Sequence, residues 1–442
     1  MPRPIGLDLF AGVGGLSLGF EQAGFDVVAA VEIDPIHCAV HKYNFPYCTV
    51  LPRSVAGLTG VEIREQTGIG QARVDVVFGG APCQGFSMMG QRALDDPRNG
   101  LVREFVRIVT EIQPSYFVFE NVKGLTLGRH SSFLHELIDE FQQNGYQVRL
   151  PWKVLDAASF GVPQHRERLI LMGSRIGVPL PEYPVPQFCA ADTYCPTALK
   201  HGPTCHDALG DLPDAEEFEE LLEADETPTT AFGPPSAYAR SLRGLGKDAW
   251  HYGYKRRWDS AMLTSSRRSD HTEISRRRFA STRPGDVVAV ARFYKLSADG
   301  LSNTLRAGTD SARGAFTSPR PIHYAHARCV TVREMARLHG FPDWFRLHGT
   351  KWHGARQIGN AVPPALGRAV AQQIIEALGV LPQRPTGTIR LGETKLVHMD
   401  MSEASRHFDI EIPIQRRDRK SGLKKRRQED IERGGCPVAT GL

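Results

Sequence analysis

The residues best equipped for chemistry are a thiol and a carboxyl, each at the end of an apolar run. Cys83 follows VDVVFGGAP (74–82), and Glu120 closes YFVFE (116–120), with Asn121 and Val122 after it. A thiolate adds to electron-poor carbons, and a carboxyl buried beside it has a raised pKa and acts as an acid toward the same substrate. Burial as an inert thiol is the usual fate of a free cysteine. Cys83 fits that fate poorly, because it lies on a glycine-rich loop where Pro82 removes a backbone N–H. Farther along, QHRERL (164–169) carries Arg166 and Arg168 two residues apart. On a strand that spacing puts both on one face, toward a shared polar ligand; a strand edge with solvated bases is the bland alternative.

A second group of residues suits a nucleoside. DLFAGVGGLSLGF (8–20) sets glycines between an apolar run and a helical one, so backbone can approach a ligand without Cβ clash, and Glu32 stands where an acid would hold ribose hydroxyls. The order Gly12-Val13-Gly14-Gly15-Leu16-Ser17 departs from the dehydrogenase pattern G-x-G-x-x-G. A cofactor without pyrophosphate is therefore expected. A nicotinamide-dependent oxidoreductase remains as an alternative resting on the glycines alone.

These residues need elements to position them. GLDLF (6–10), FDVVAAVEI (25–33), VDVVFGG (74–80), YFVFE (116–120) and RLILMGS (168–174) are short, rich in β-branched or aromatic residues and bounded by turns, which predicts strands. Helical spacing runs through residues 16–24, 100–114 and 132–145. The alternation predicts an α/β domain whose mostly parallel sheet is covered by helices on both faces, with ligands outside the carboxyl ends of the strands. From 176 to about 328 the chain turns to Pro, Gly, Arg and short polar segments and is expected to form a separate, irregular domain. Helical patterns return at TVREMARLHG (331–340), where Thr331 and Glu334 are spaced as a capping box, and at ALGRAVAQQIIEALG (365–379).

Composition narrows the class. With 442 residues the chain exceeds the usual single core, and two domains are expected. No apolar run reaches about 18 residues, and the N-terminus enters directly on a strand pattern, so a soluble, cytoplasmic protein is expected. The eight cysteines lack a repeated spacing and are expected as free thiols. Cys189, Cys195 and Cys205 lie near His201 and His206, yet their gaps miss the two-to-four-residue spacing of structural zinc sites, and no metal is expected. Net charge is only +5, but residues 214–226 hold eight acids and no base, whereas Arg240 to Arg283 holds twelve Lys or Arg against four acids. A basic run of that kind suits a phosphate backbone, or else a solvated surface. The tail QRRDRKSGLKKRRQEDIER (415–433) is expected to be flexible and a nonspecific nucleic-acid contact.

DLFAGVGGLSLGFEQAG, GGAPCQGFS, FENVKGL, QHRERL, TVREMARLHGFP and QIGNAVPPALG occur in an order and spacing that resembles the DNA (cytosine-5) methyltransferases, over roughly residues 5–175 and 328–380. The resemblance implies a Rossmann-like S-adenosylmethionine-dependent methyltransferase sheet with a second, smaller irregular target-recognition domain. Residues 1–175 plus 329–380 would be catalytic, 176–328 would recognise the target, and 381–442 would be a basic flexible tail. It implies that Cys83 adds to C6 of cytosine, that Pro82 fixes the backbone before it, that Glu120 engages N3 with Asn121 orienting it, and that Arg168, with Arg166, binds O2 and nearby backbone. Phe10, Ala11, Gly12, Gly14, Gly15, Leu16, Glu32, Ile33 and Asn360 match the S-adenosyl-L-methionine site. Ser54 stands where the family usually has an Asp for the adenine amino group, and His339 where Gln is common. The target cytosine would be flipped into the pocket; Gln84 and Ser87 are placed to contact the opened duplex or flanking phosphates, Thr304 matches a contact to the backbone of the flipped nucleotide, and Arg306 a DNA contact. Duplex DNA is the implied substrate, bound by a monomer near the nucleoid, with a restriction endonuclease or another defence component as companion. An RNA (tRNA) cytosine-5 methyltransferase, which would share every catalytic residue, stays open, as does a catalytically silent DNA-binding relative.

Overall fold

The computed structural model describes residues 3–82, 99–128, 130–190, 194–289, 292–308 and 319–411. The apolar runs form strands β1 (Ile5–Leu9), β2 (Asp26–Val31), β3 (Thr49–Leu51), β4 (Val76–Gly79), β5 (Tyr116–Val122), β6 (Tyr146–Val148), β7 (Lys153–Asp156) and β8 (Glu167–Arg175). Among the described residues these make one sheet in the order β3-β2-β1-β4-β5-β8-β6, with β7 also paired to β8. From β3 through β5 every neighbour pair is parallel. The sheet is therefore mixed rather than parallel throughout, because β8 runs antiparallel to β5, β6 and β7. That reversal has a local effect. It brings the start of β8 beside the carboxyl end of β5, with Arg168 opposite Val122.

Helices α1 (Gly15–Ala23), α2 (Pro35–Asn44), α3 (Gly60–Gln66), α4 (Gly100–Ile112) and α5 (His130–Gln143) connect these strands. Strand alternation divides the sheet's apolar side chains between two layers. Val77, Phe117 and Phe119 join α4 and α5, with Phe117 stacked on Phe141 at 3.8 Å. Val76, Phe78, Tyr116 and Val118 face the other way, where Phe78 stacks on Phe20 of α1 at 3.7 Å.

The second region contains α6 (Cys205–Leu209), α7 (Ala237–Leu242) and α8 (Glu273–Ser281) and strands of two or three residues. Such short elements bury little apolar surface, and ion pairs accompany them. Arg337 bridges Asp211 and Asp343, Arg328 bridges Asp214 and Glu334, and Arg346 reaches Asp225, all at 3.0 Å or less. Part of the basic run is engaged inside the protein in the same way. Arg256 is buried against Glu21 at 2.7 Å, and Arg276 pairs with Glu216 at 2.6 Å. The expectation that this run faces phosphates is corrected for these two, while Lys255, Arg257, Arg277 and Arg283 remain exposed.

The chain then returns through α9 (Val332–Leu338), α10 (Lys351–Asn360) and α11 (Pro364–Leu378). Thr331 and Glu334 form the capping box that their spacing predicts. Helix α11 crosses α1 at backbone contact: a Cβ on Gly19 would lie 2.7 Å from both Arg368 N and Pro364 O. The end assigned to a flexible tail starts with folded chain. Thr388–Arg390 pairs in parallel with Lys255–Arg257, and Leu396, Val397, Met399 and, on α12 (Met401–His407), Ala404 are buried in one apolar cluster with Ile36, Ala39 and Val40 of α2. Residues 412–442 lie outside the described residues. The free-thiol expectation holds for Cys38, Cys48, Cys205 and Cys329, which are buried, but Cys189 and Cys195, with Cα atoms 5.4 Å apart, are joined. Among the described residues no helix is long and apolar enough to cross a membrane.

The α1–α11 crossing yields a test. Gly19→Val forces a side chain against backbone of the facing helix and should lower unfolding stability by about 1–3 kcal/mol. Gly387→Val, at an exposed site with nothing within 4 Å of its Cβ position, should leave the urea midpoint nearly unchanged.

Candidate active site

Two glycines at the end of β4 make room for the site. A Cβ on Gly79 would lie 1.9 Å from Leu9 O, so β1 and β4 approach there only because the side chain is absent. A Cβ on Gly80 would lie 2.4 Å from Oε2 of Glu120, so this second glycine clears the space the carboxyl occupies. The sequence shows the pair, but not that its second member faces residue 120. Asn121 ties the neighbouring strand to the same turn: its Nδ2 donates to Ala81 O at 2.9 Å, and its Oδ1 accepts from Val122 N at 2.9 Å. Pro82 follows and is exposed; Cys83, Gln84 and Ser87 lie outside the described residues.

Glu120 is buried, and Nε of Arg168 sits 2.7 Å from its Oε1. Burial raises the carboxyl pKa, while Arg168 and then Arg166 lower it. The ion pair alone would depress the group. Burial outweighs it, and Glu120 is held above the usual carboxylate range.

Arg166 and Arg168 do not converge on one ligand as their spacing predicts, because β8 begins only at Glu167. Arg166 is fully buried and donates from Nη1 to Leu305 O at 2.9 Å and from Nη2 to Gly359 O at 2.7 Å and Ala361 O at 2.8 Å. It joins β8's entry to two later parts of the chain. Gln164 works beside it: Oε1 accepts from Leu305 N at 3.1 Å, and Nε2 lies 3.0 Å from Nδ1 of His339. The other ring nitrogen of His339 lies 3.1 Å from Ala361 O, so Nε2 carries the proton and Nδ1 accepts from Gln164. Burial, with Arg166 nearby, holds the His339 pKa well below its ordinary value, so the ring is neutral. Thr304, exposed, donates from Oγ1 to His165 O at 2.7 Å, and Arg306 is exposed two residues on.

The glycine loop lies beside this turn, because β1 and β4 are neighbours with Leu9 opposite Gly79. Phe10 adopts φ +61, unusual for a residue with a Cβ, and Gly12 and Gly14 have φ +54 and +95. Around Gly12 the space is open, with nothing within 4 Å of a Cβ position. Gly15 differs: a Cβ there would lie 2.3 Å from Val362 O, so the returning chain packs on the first turn of α1, and Leu16 is buried. Ala11 is also buried and donates through its N–H to Val31 O at 3.0 Å. Glu32 closes the ring, accepting from Gly12 N and Asp34 N at 2.8 Å each. Beside it Ile33, 63% exposed, offers an apolar surface. The Ser54 hydroxyl caps a short turn by accepting from Ala56 N at 3.3 Å, and Asn360 is exposed at the end of α10. An open glycine, a carboxylate and an exposed aliphatic side chain at adjoining strand ends suit a nucleoside.

Sequence reasoning missed the group beneath the loop. Asp8 is buried with Oδ2 2.5 Å from Ser17 Oγ, which in turn lies 3.2 Å from Nε2 of His41. Burial pushes the Asp8 carboxyl up to about 8 and the His41 imidazole down to about 3, so both are neutral near pH 7.

Comparison with known proteins agrees with this layout. The sequence pattern of the C-5 cytosine-specific DNA methylases matches residues 6–376. The chain is 56% identical over 414 residues to the Type II methyltransferase M.XorII of Xanthomonas oryzae pv. oryzae, covering 94% of each chain. It is 35% identical to the Type II methyltransferase M1.HphI of Haemophilus parahaemolyticus, over 84% of this chain and 86% of that one. A crystal structure described as a DNA modification methyltransferase encoded within an E. coli prophage superposes with TM-score 0.68 at 30% identity, covering 85% of this chain and 100% of that one.

The neutral Asp8 gives a signed pH effect. Because its folded pKa is raised from 3.8 to about 8, its contribution is complete below about pH 4 and is lost progressively up to about pH 8. Relative to Asp8→Asn, which does not titrate, the native chain should lose stability by up to about 1.4 kcal/mol per pH unit across that window. Urea unfolding of both proteins at pH 6, 7, 8 and 9 measures it, and the difference should level off above pH 8.

Proposed function

The chain belongs to the C-5 cytosine-specific DNA methylase family, and we propose that it methylates C5 of a flipped cytosine in duplex DNA through a covalent bond from Cys83 to C6. The observation that carries this reading is the meeting of a buried, arginine-paired carboxyl with the turn leading to Cys83, one strand away from the glycine loop. A stacked cytosine hides C5 and C6, so the base must leave the duplex to reach such a crevice.

In this reading the Cys83 thiolate adds to C6 while Glu120, whose pKa burial raises, passes a proton to N3, so electron density collects at C5. Arg168, alongside Glu120, receives O2. Asn121 fixes the Ala81 carbonyl and hence the approach of the thiol, and Arg166 acts as a positioning residue through the three carbonyls it binds. S-adenosyl-L-methionine supplies the electrophilic methyl when bound. Gly12 would let it approach, Glu32 would meet its ribose hydroxyls and Ile33 its adenine, Phe10, Ala11, Gly14, Gly15 and Leu16 would shape the loop, and Ser54 and Asn360 would complete the rim. Once C5 carries the methyl and the demethylated cofactor has been released, a base removes the C5 proton, the C6–S bond breaks, Cys83 leaves as thiolate and N3 returns its proton to the Glu120 carboxylate, giving neutral 5-methylcytosine.

Residues 176–328 would read the DNA word, with Thr304, Arg306, Gln84 and Ser87 close to the flipped nucleotide. The Type II names of the relatives support a restriction-modification setting with a cognate endonuclease.

DNA containing 5-fluorocytosine tests the mechanism, since fluorine at C5 cannot leave as a proton does. With S-adenosylmethionine the native protein should form a denaturation-resistant adduct, and Cys83→Ser should form none. Methyl transfer by Cys83→Ser at the native rate overturns the reading. Glu120→Gln should slow transfer by about 10²–10⁴-fold. The native rate should fall as rising pH deprotonates Glu120, a fall the Gln variant lacks. Competition between duplex DNA and tRNA for labelled methyl separates the DNA enzyme from an RNA enzyme.

A further inference from the structure

Where the chain leaves the sheet for the second region, Phe188–Cys189 and Lys200–His201 pair as parallel strands with Cys189 directly opposite His201. Paired residues of neighbouring strands point to the same face, so this register does what sequence spacing does in a common zinc motif. Cys195 lies on the connection between them. One ligand atom from each of Cys189, Cys195 and His201 falls within 4.8 Å of the other two. A Cα separation of 5.4 Å for the cysteines suits a disulfide, and it equally lets two sulfurs share one ion.

We propose that in the reduced chain Cys189, Cys195 and His201 bind one zinc ion. Two thiolates and an imidazole are the donor set zinc prefers, and three protein ligands leave a fourth tetrahedral position. His201 is exposed, which turns that position toward water. Binding releases the two thiol protons to solvent and changes no oxidation state. The surroundings favour a cation: Lys200 O lies 3.3 Å from Sγ of Cys189 and Leu199 O 3.5 Å from Sγ of Cys195, so bare thiolates would face the negative ends of two carbonyl dipoles. The other described thiols compete poorly. Cys38, Cys48, Cys205 and Cys329 are buried, and burial pushes all four pKa values up, Cys205 to about 12.

Gln187 N donates to Ser159 O at 2.9 Å, Gly202 N to Cys189 O at 3.0 Å and Cys205 N to Gly300 O at 2.9 Å, so the ion would tie the entry to α6 to the turn Ala157–Phe160.

The test uses the full-length protein, reduced and freed of metal, titrated with zinc against a chromophoric chelator. One high-affinity equivalent should appear and be lost in Cys195→Ser and in His201→Asn. Cobalt(II) in place of zinc should give thiolate charge-transfer absorption and tetrahedral d–d bands, lost in the same variants, and zinc should raise the melting temperature of the native chain only. Retention of the zinc equivalent by both variants overturns the proposal. So does the absence of high-affinity binding by the reduced native chain, or a Cys189–Cys195 disulfide recovered quantitatively from cells alkylated at lysis. Because His201 is exposed, its variant keeps the test decisive if Cys195→Ser fails to fold.

Discussion

The guanidinium of Arg166 is the junction on which the catalytic face depends. Its donors hold carbonyls from residue 305, in the irregular region, and from residues 359 and 361, at the end of α10. A buried charge without partners would be prohibitive, and three carbonyl dipoles satisfy most of its hydrogen-bonding capacity, leaving Nε without a partner among the described residues. Gln164 and His339 extend the junction with neutral groups whose donors and acceptors match in one tautomer. Three distant stretches thus converge on the start of β8. That is also where Arg168 leaves the sheet to meet Glu120.

Much of this was legible from periodicity. The strands of residues 6–10, 25–33, 74–80, 116–120 and 168–174 and the major helices occur within a few residues of their patterns, because each apolar run must bury a face. Direction was not legible. An apolar run reads the same for a parallel and an antiparallel strand, so the reversal of β8 is visible only in its pairing with β5. The fate of cations was equally hidden: Arg166 and Arg168 look equivalent in QHRER, and only the onset of the strand at Glu167 separates a buried tie from a partner of the carboxyl. The pairing of Cys189 with His201 depends on strand register, which spacing does not encode.

The glycines divide along similar lines. Gly12 has open space around it, as a loop facing a ligand requires, whereas Gly15, Gly19 and Gly79 are glycine because backbone from another element occupies the Cβ position. Gly80 belongs to neither set, since its neighbour is the Glu120 carboxyl itself. One residue type thus meets three separate demands along a short path.

The internal pairing of the acidic and basic runs bears on how this protein senses salt. Arginines already matched to carboxylates displace no cations from a polyanion on contact, so the exponent linking binding constant to ionic strength should follow exposed cations such as Lys255, Arg257 and Arg283 rather than the full basic tally, in which Arg256, Arg276 and Arg277 face Glu21, Glu216 and Glu273. A chain that looks strongly electrostatic on paper would then grip its polymer with a modest ionic component, leaving contact geometry to set the lifetime of the complex.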